Sequence, residues 1–197
     1  MIRTFNRQQF RKIALACATA VLAVGCTSNE PASSKPPVTT PAATTAPEST
    51  QSETPADPAE TAKKEAIATY LSYWKEVEKR YADKTDKAGD LKKYAAAAAL
   101  AQVEKDTERM RKRNTVALGT VTVGNPAAAS ADINRKIPNV IISSCLDISQ
   151  WQVLNADTKK PVTLPKERLL RYVIKATVEK WPEGWRVIRD EPQGKKC

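Results

Sequence analysis

Apolar residues recur at three- and four-residue steps in the stretch that follows Asp57. Asp57, Pro58 and Glu60 have the pattern of a helix start, with a capping aspartate, a proline at the first helical position and a glutamate three residues after the cap. The apolar stripe that follows consists of Ile67, Tyr70, Leu71, Trp74, Val77 and Tyr81. We predict one amphipathic helix that ends near residues 83–86.

Two more helices are predicted before residue 115. Asp90 caps a short helix that runs through Tyr94, and the alanine run 95–99 leads into a third helix. The buried face of this third helix is expected to hold Leu100, Val103, Thr107 and Met110. Its last turn is basic, because Arg109, Arg111, Lys112 and Arg113 precede Asn114. We expect these cations to complement the helix dipole and Asn114 to form a left-handed cap; the alternative is that the cations form a patch for an anionic lipid or polymer.

The pattern changes from helical to alternating after Thr115. Residues 116–123 predict a strand that Gly124-Asn125-Pro126 interrupts, and residues 127–133 a second strand. A strand at 140–147, a short one at 150–154 and a hairpin follow. In the hairpin, residues 170–179 pair across a turn at 182–184 with a strand that carries Trp185, Val187 and Arg189. Helices followed by antiparallel strands predict an α+β domain at residues 59–197.

The N-terminus has the pattern of an export signal. Arg3, Arg7, Arg11 and Lys12 precede an apolar run, 13–24, that is shorter than the roughly 20 residues of a membrane-spanning helix. Ala23-Val24-Gly25-Cys26 resembles a bacterial lipobox, although the usual leucine lies one place early, at Leu22. We expect removal of residues 1–25, acylation of Cys26, and a lipid-anchored protein on the extracytoplasmic face of the bacterial membrane. The alternative is an ordinary cleaved signal and a secreted protein.

Residues 26–58 separate this signal from the predicted domain. From residue 27 onward they contain seven prolines, many Thr, Ser and Ala, and no aromatic residue. Such a segment buries too little apolar surface to offset its chain entropy, so we predict a disordered tether. A glycosylated stalk is the alternative.

The net positive charge of the predicted domain indicates which partners it can bind. Residues 61–197 carry 27 basic and 17 acidic groups, which favours anionic lipid headgroups or an acidic envelope polymer. No base-stacking aromatic motif accompanies the basic residues, so nucleic acid is not an expected partner.

The cysteine count predicts a disulfide. Cys17 leaves with the signal and Cys26 carries lipid, so Cys145 and Cys197 remain in a compartment where disulfides persist. A reactive thiol at Cys145 is the alternative. The chain has no histidine, which excludes a His-activated nucleophile and removes the commonest zinc ligand. We predict neither a cofactor nor a metal.

The order of elements resembles the nuclear transport factor 2-like, or SnoaL-like, domain of small bacterial lipoproteins. The residues that carry the resemblance are Tyr70-Leu71-Ser72-Tyr73-Trp74, Leu91-Lys92-Lys93-Tyr94-Ala95, Cys145 to Trp151, Gly184-Trp185-Arg186-Val187 and Cys197. The resemblance implies a cone in which about three N-terminal helices pack on a curved antiparallel sheet around a pocket. The side chains expected to line this pocket are Tyr70, Trp74, Trp151 and Tyr172.

Three functions are compatible with these expectations. The leading one is a non-catalytic binding or scaffolding domain at the membrane. The second is a cyclase or isomerase, as in related cones that place a carboxylate base in the pocket, for which Asp132 and Asp147 are the candidate carboxylates. The third is an adaptor that binds another envelope protein in a secretion or conjugation assembly.

Overall fold

The computed structural model describes residues 57–197; the predicted signal, Cys26 and nearly all of the predicted tether lie outside them. Three helices come first: α1 (Pro58–Ala82), α2 (Leu91–Tyr94) and α3 (Ala97–Lys112). Six strands follow: β1 (Thr115–Leu118), β2 (Thr122–Asp132), β3 (Asn139–Asp147), β4 (Gln152–Asn155), β5 (Arg171–Trp181) and β6 (Gly184–Pro192). The helices pack against antiparallel sheets, so the α+β prediction is confirmed.

Helix α1 begins at the predicted position. The Asp57 carboxylate accepts a hydrogen bond of 2.9 Å from the amide of Ala59, and Pro58 is the first helical residue. The helix and its cap therefore include Asp57 and Pro58, which the predicted boundary at residue 59 assigns to the tether. The buried face differs from the predicted stripe, because Leu71 is 36% exposed and Tyr73 is 2% exposed.

The alanine run does not form one continuous helix. Ala95 and Ala96 have extended backbone dihedrals, and the amide of Ala96 donates to the carbonyl of Val187 at 3.0 Å. This contact with strand β6 holds the chain between α2 and α3 in an extended form. The end of α3 follows the prediction, since Asn114 has a left-handed φ of 51°.

Four antiparallel strands form the main sheet in the order β2-β3-β5-β6, and β1 pairs with β4 in a separate two-stranded sheet. Strand β3 alternates as predicted: Val140, Ile142, Ser144 and Leu146 are buried, and the residues between them are half-buried. These side chains form the core together with the buried face of α1.

The first strand break lies earlier than the sequence predicts. It begins at Gly119, which has a φ of 113° and passes so close to the chain just before β4 that an added Cβ would lie 2.0 Å from the carbonyl oxygen of Gln150. The predicted interruption at Gly124-Asn125-Pro126 is instead a bulge within β2. Because β2 is an edge strand, the missing amide hydrogen of Pro126 is tolerated there.

The β5–β6 hairpin is present, but its second strand is offset by one residue. Val178 pairs with Val187 and Thr177 pairs with Arg189, which leaves Ile188 as an unpaired bulge residue. Regular alternation would place Arg189 on the same face as Val187, and the bulge prevents this. Arg189 is exposed, and Asp190 takes the inward position.

Cys145 and Cys197 form a disulfide with a Cα–Cα distance of 5.8 Å, which attaches the C-terminal segment to β3. Two backbone hydrogen bonds hold the same segment against β5: the Val173 amide donates to the Lys195 carbonyl at 2.8 Å, and the Gln193 amide donates to the Val173 carbonyl at 2.9 Å. None of the helices within residues 57–197 is long and apolar enough to cross a membrane.

Candidate functional site

A cavity of about 360 Å³ lies between α1, α3 and the β5–β6 end of the sheet. Its walls are mainly aromatic and aliphatic. The lining residues are Tyr73, Trp74, Val77, Tyr81, Ala99, Gln102, Val103, Asp106, Trp151, Tyr172, Ile174, Asp190, Glu191 and Pro192. An apolar cavity with a few polar groups is the usual form of a small-molecule site.

Neighbouring rings form much of this wall. The ring centroids of Tyr73 and Trp74 are 5.6 Å apart, and those of Trp74 and Trp151 are 6.5 Å apart, both in edge-to-face arrangements. The Tyr81 ring lies 5.0 Å from that of Trp151. Such spacings are favourable for aromatic pairs.

The most unusual group in the cavity is the carboxyl of Asp190 on β6. Burial raises its pKa from the ordinary value of 3.8 to about 7, and the neighbouring Glu191 acts in the same direction. The hydroxyls of Tyr70 and Tyr73 oppose this increase. Tyr70 Oη donates to Asp190 Oδ1 at 3.4 Å and shares a hydrogen bond of 3.3 Å with Ser144 Oγ. Asp190 therefore exchanges a proton near neutral pH, whereas most aspartates are fully ionised there.

The tyrosines around the cavity remain neutral donors. Burial is the main cause that raises the pKa values of Tyr70, Tyr73, Tyr81 and Tyr172. The Tyr81 hydroxyl donates to Asp106 Oδ2 at 3.1 Å. Asp106 also accepts from Gln102 at 2.8 Å and forms an ion pair with Arg109, so its charge is compensated within α3.

Three of the four side chains expected to line a pocket line this cavity: Trp74, Trp151 and Tyr172. The fourth, Tyr70, is 0% exposed and lies behind the wall, where it contacts Asp190. Neither carboxylate proposed as a base is in the cavity lining. Asp132 is exposed at the end of β2, and Asp147 forms an ion pair of 3.4 Å with Arg171.

Sequence reasoning missed Asp190, Tyr73 and Asp106. Tyr73 follows Tyr70 by three residues, so helical spacing is a signal that places it on the same face. Asp106 lies three residues after Val103 on α3, which is the same kind of signal. Asp190 has no such signal, because regular alternation from Val187 points it away from the core and only the bulge at Ile188 reverses this.

The basic cluster at the end of α3 is largely paired. Arg109 pairs with Asp106, Arg111 with Asp86 at 2.8 Å, and Lys112 with Glu108 at 2.6 Å. These carboxylate partners leave less free positive charge for an anionic ligand, which favours the interpretation as cations of a helix terminus over that of a binding patch.

Residues 57–197 bring together no group of three or more Asp, Glu, Cys or His side chains with the spacing of a metal site. The chemistry of the cavity is thus that of one titrating carboxyl, neutral phenols and indoles. Such a set is chemically suited to binding an organic ligand or to moving a proton.

No protein-family model matches the chain. No curated protein matches it either. Among solved structures, the intermembrane space region of the chloroplast protein ARC6 is similar, with a TM-score of 0.44 and 10% sequence identity over 70% of this chain and 98% of that chain. A likeness at this level carries no argument about the fold or the function of this chain.

Proposed function

We propose that the protein is a lipid-anchored extracytoplasmic domain that binds a small, largely apolar molecule without changing it. The cavity between α1, α3 and the sheet is the observation that carries the binding part of this proposal. The anchor is inferred from Cys26 and the residues before it, and the relation to nuclear transport factor 2-like lipoproteins from the motifs quoted above.

The size of the cavity limits the ligand. At about 30 Å³ per liquid water, 360 Å³ corresponds to about twelve water molecules. This volume lies near the lower end for small-molecule sites, so the ligand has one or two small rings or an equivalent branched chain. The aromatic wall favours contact with flat or methyl-rich surfaces.

Prodan, a neutral naphthalene dye whose emission shifts to the blue in apolar surroundings, tests the cavity directly. We expect one dye to bind per chain. Ala99 is 3% exposed and lines the cavity, so Ala99→Phe should fill the space and abolish binding. Ala101→Phe is the matched control, because Ala101 is exposed on the same helix. If the two variants bind the dye equally well, the cavity is not the binding site.

A second candidate function is isomerisation of a small cyclic ketone, and Asp190 is the observation that favours it. A carboxylate with a pKa of about 7 is suited to accept a proton from carbon and return it. It would remove the proton between a carbonyl and a double bond, the electron pair would move into the carbonyl, and the proton would return to the far carbon. The hydroxyls of Tyr70 and Tyr73 already act on Asp190, which leaves Tyr172 on the lining as the donor to the ketone oxygen.

Conversion of 3-cyclohexenone to its conjugated isomer tests this candidate, because the product absorbs more strongly in the ultraviolet. Catalysis predicts a rate above that of buffer, and Asp190→Asn should abolish it while prodan still binds. A rate equal to the background rejects the enzyme and leaves the non-catalytic function in place.

A further inference from the structure

The cavity lining has the opposite sign of charge from the domain around it. Residues 61–197 carry 27 basic and 17 acidic groups. The charged side chains that line the cavity are nevertheless all carboxylates, namely Asp106, Asp190 and Glu191. The many surface cations are screened by salt within about 10 Å, whereas lining groups act on a ligand at contact distance. The local field in the cavity therefore favours a cation.

Two of these carboxylates already have partners. Asp106 pairs with Arg109, and Glu191, with a side chain that is 56% exposed, lies 3.7 Å from a nitrogen of Arg189. Asp190 has no ion pair within residues 57–197. Its carboxyl is half-buried among phenols and apolar groups, and a charge in such surroundings without a counter-ion is costly. A cationic ligand would remove this cost.

Five aromatic rings surround the same space: Tyr73, Trp74, Tyr81, Trp151 and Tyr172. Ring faces attract alkylated ammonium groups, and the attraction is strongest where water is excluded.

We infer that the cavity takes an organic cation, a protonated or quaternary amine with a small apolar body, whose counter-ion is Asp190. The rings contact its alkyl groups. This inference rests on the proposed binding function, because it requires the cavity to be a binding site. It adds the charge of the ligand, which the proposed function leaves open.

Three molecules of nearly the same shape separate charge from size: choline, its neutral isostere 3,3-dimethyl-1-butanol, and the anion 3,3-dimethylbutanoate. The protein is used as the cell produces it, labelled with ¹⁵N, and the indole N–H resonances of its four tryptophans are followed. Trp74 and Trp151 line the cavity and report binding there, whereas Trp181 and Trp185 are not in the lining and serve as internal controls.

We expect choline to shift the Trp74 and Trp151 signals with a dissociation constant at least about tenfold lower than that of the alcohol. The anion should not bind. The choline affinity should rise about tenfold from about pH 6 to about pH 8, because the ionised fraction of a group with a pKa of about 7 rises by that factor. The alcohol affinity should not depend on pH.

Other titratable groups near Asp190 do not account for this pH dependence. The phenols on α1 and β5 have pKa values raised by burial, so they stay neutral over this range. Asp106 on α3 and Glu191 on β6 have arginine partners. The groups that face Asp190 from the packed elements are Tyr70, Tyr73, Tyr172, Asp106 and Glu191.

Asp190→Asn keeps the size of the side chain and removes its charge. It should weaken choline about tenfold, remove the pH dependence and change the affinity of the alcohol by less than about twofold. Asp132→Asn is the control, because Asp132 is exposed on β2 outside the cavity.

The outcomes separate this inference from the proposed function. If the alcohol binds as tightly as choline, or if Asp190→Asn leaves their affinity ratio intact, the site does not select cations, but the binding cavity stands. If none of the three molecules moves the Trp74 or Trp151 signal at tens of millimolar and prodan does not bind, both are refuted.

Discussion

Replacing Asp190 by Asn should stabilise the protein at neutral and alkaline pH and leave its stability in acid unchanged. The folded protein holds the Asp190 proton up to a pKa of about 7, whereas the ordinary value for the unfolded chain is 3.8. The folded state thus binds this proton more tightly. Its stability falls as the pH rises from 3.8 to about 7 and does not fall further above that range.

The structure gives the size of the effect. Each unit of pKa difference corresponds to about 1.4 kcal/mol, so a change from 3.8 to about 7 has a ceiling of about 4 kcal/mol. Asp190 is half-buried, and solvent screening reduces this ceiling. We expect Asp190→Asn to increase the free energy of unfolding by about 2–4 kcal/mol above pH 7.

Urea unfolding followed by circular dichroism, at several values between about pH 4 and about pH 9, measures this difference. Other carboxylates with lowered pKa values, such as Asp83 and Glu76, affect the wild type and the variant equally, so they cancel in the comparison. Asp132→Asn should show no pH-dependent difference. A wild type more stable than Asp190→Asn above pH 7, or a difference independent of pH, would refute the burial of an uncompensated carboxylate.

Three further predictions concern the anchor, the disulfide and the first strand break. Cys26→Ser should move the protein from the membrane fraction to the soluble fraction; an unchanged distribution contradicts lipid anchoring. Replacing Cys145 and Cys197 by Ser removes a cross-link across 52 residues and should lower the free energy of unfolding by on the order of 4 kcal/mol, measured in urea; an unchanged midpoint contradicts a stabilising disulfide. Gly119→Ala should lower the melting temperature strongly, because its Cβ overlaps a backbone carbonyl, whereas Gly194→Ala meets no atom within 4 Å and should cost only the backbone strain of its positive φ. Equal losses in these two variants contradict the close approach of Gly119 to the Gln150 carbonyl.

Local chemistry explains most of the elements that the sequence predicted. The Asp57-Pro58 start of α1, the left-handed Asn114 after α3, and the turn at 182–184 each depend on a few adjacent residues. The alternation of β3 follows from the period of a strand with a buried face. The disulfide between Cys145 and Cys197 was predicted from the cysteine count and from the expectation that the protein is exported.

The break between α2 and α3 shows where local chemistry is overruled. Alanine has the highest helix propensity, so the run 95–99 favours one continuous helix. Ala96 instead donates its amide to Val187, a residue about ninety positions later on β6. The free energy by which each alanine favours a helix is small. A hydrogen bond to the sheet, together with the burial of Ala95, outweighs it.

The sequence alone determined the class of fold, the main helices, the hairpin and the paired cysteines, because each follows from neighbouring residues or from composition. Only the tertiary structure decided which carboxylate faces the cavity. In a strand, one extra residue reverses the face of every side chain that follows, and the bulge at Ile188 therefore turns Asp190 inward and Arg189 outward. The position of such a bulge depends on how β6 pairs with β5 and packs against α1 and α3, and residues far apart in the chain set both.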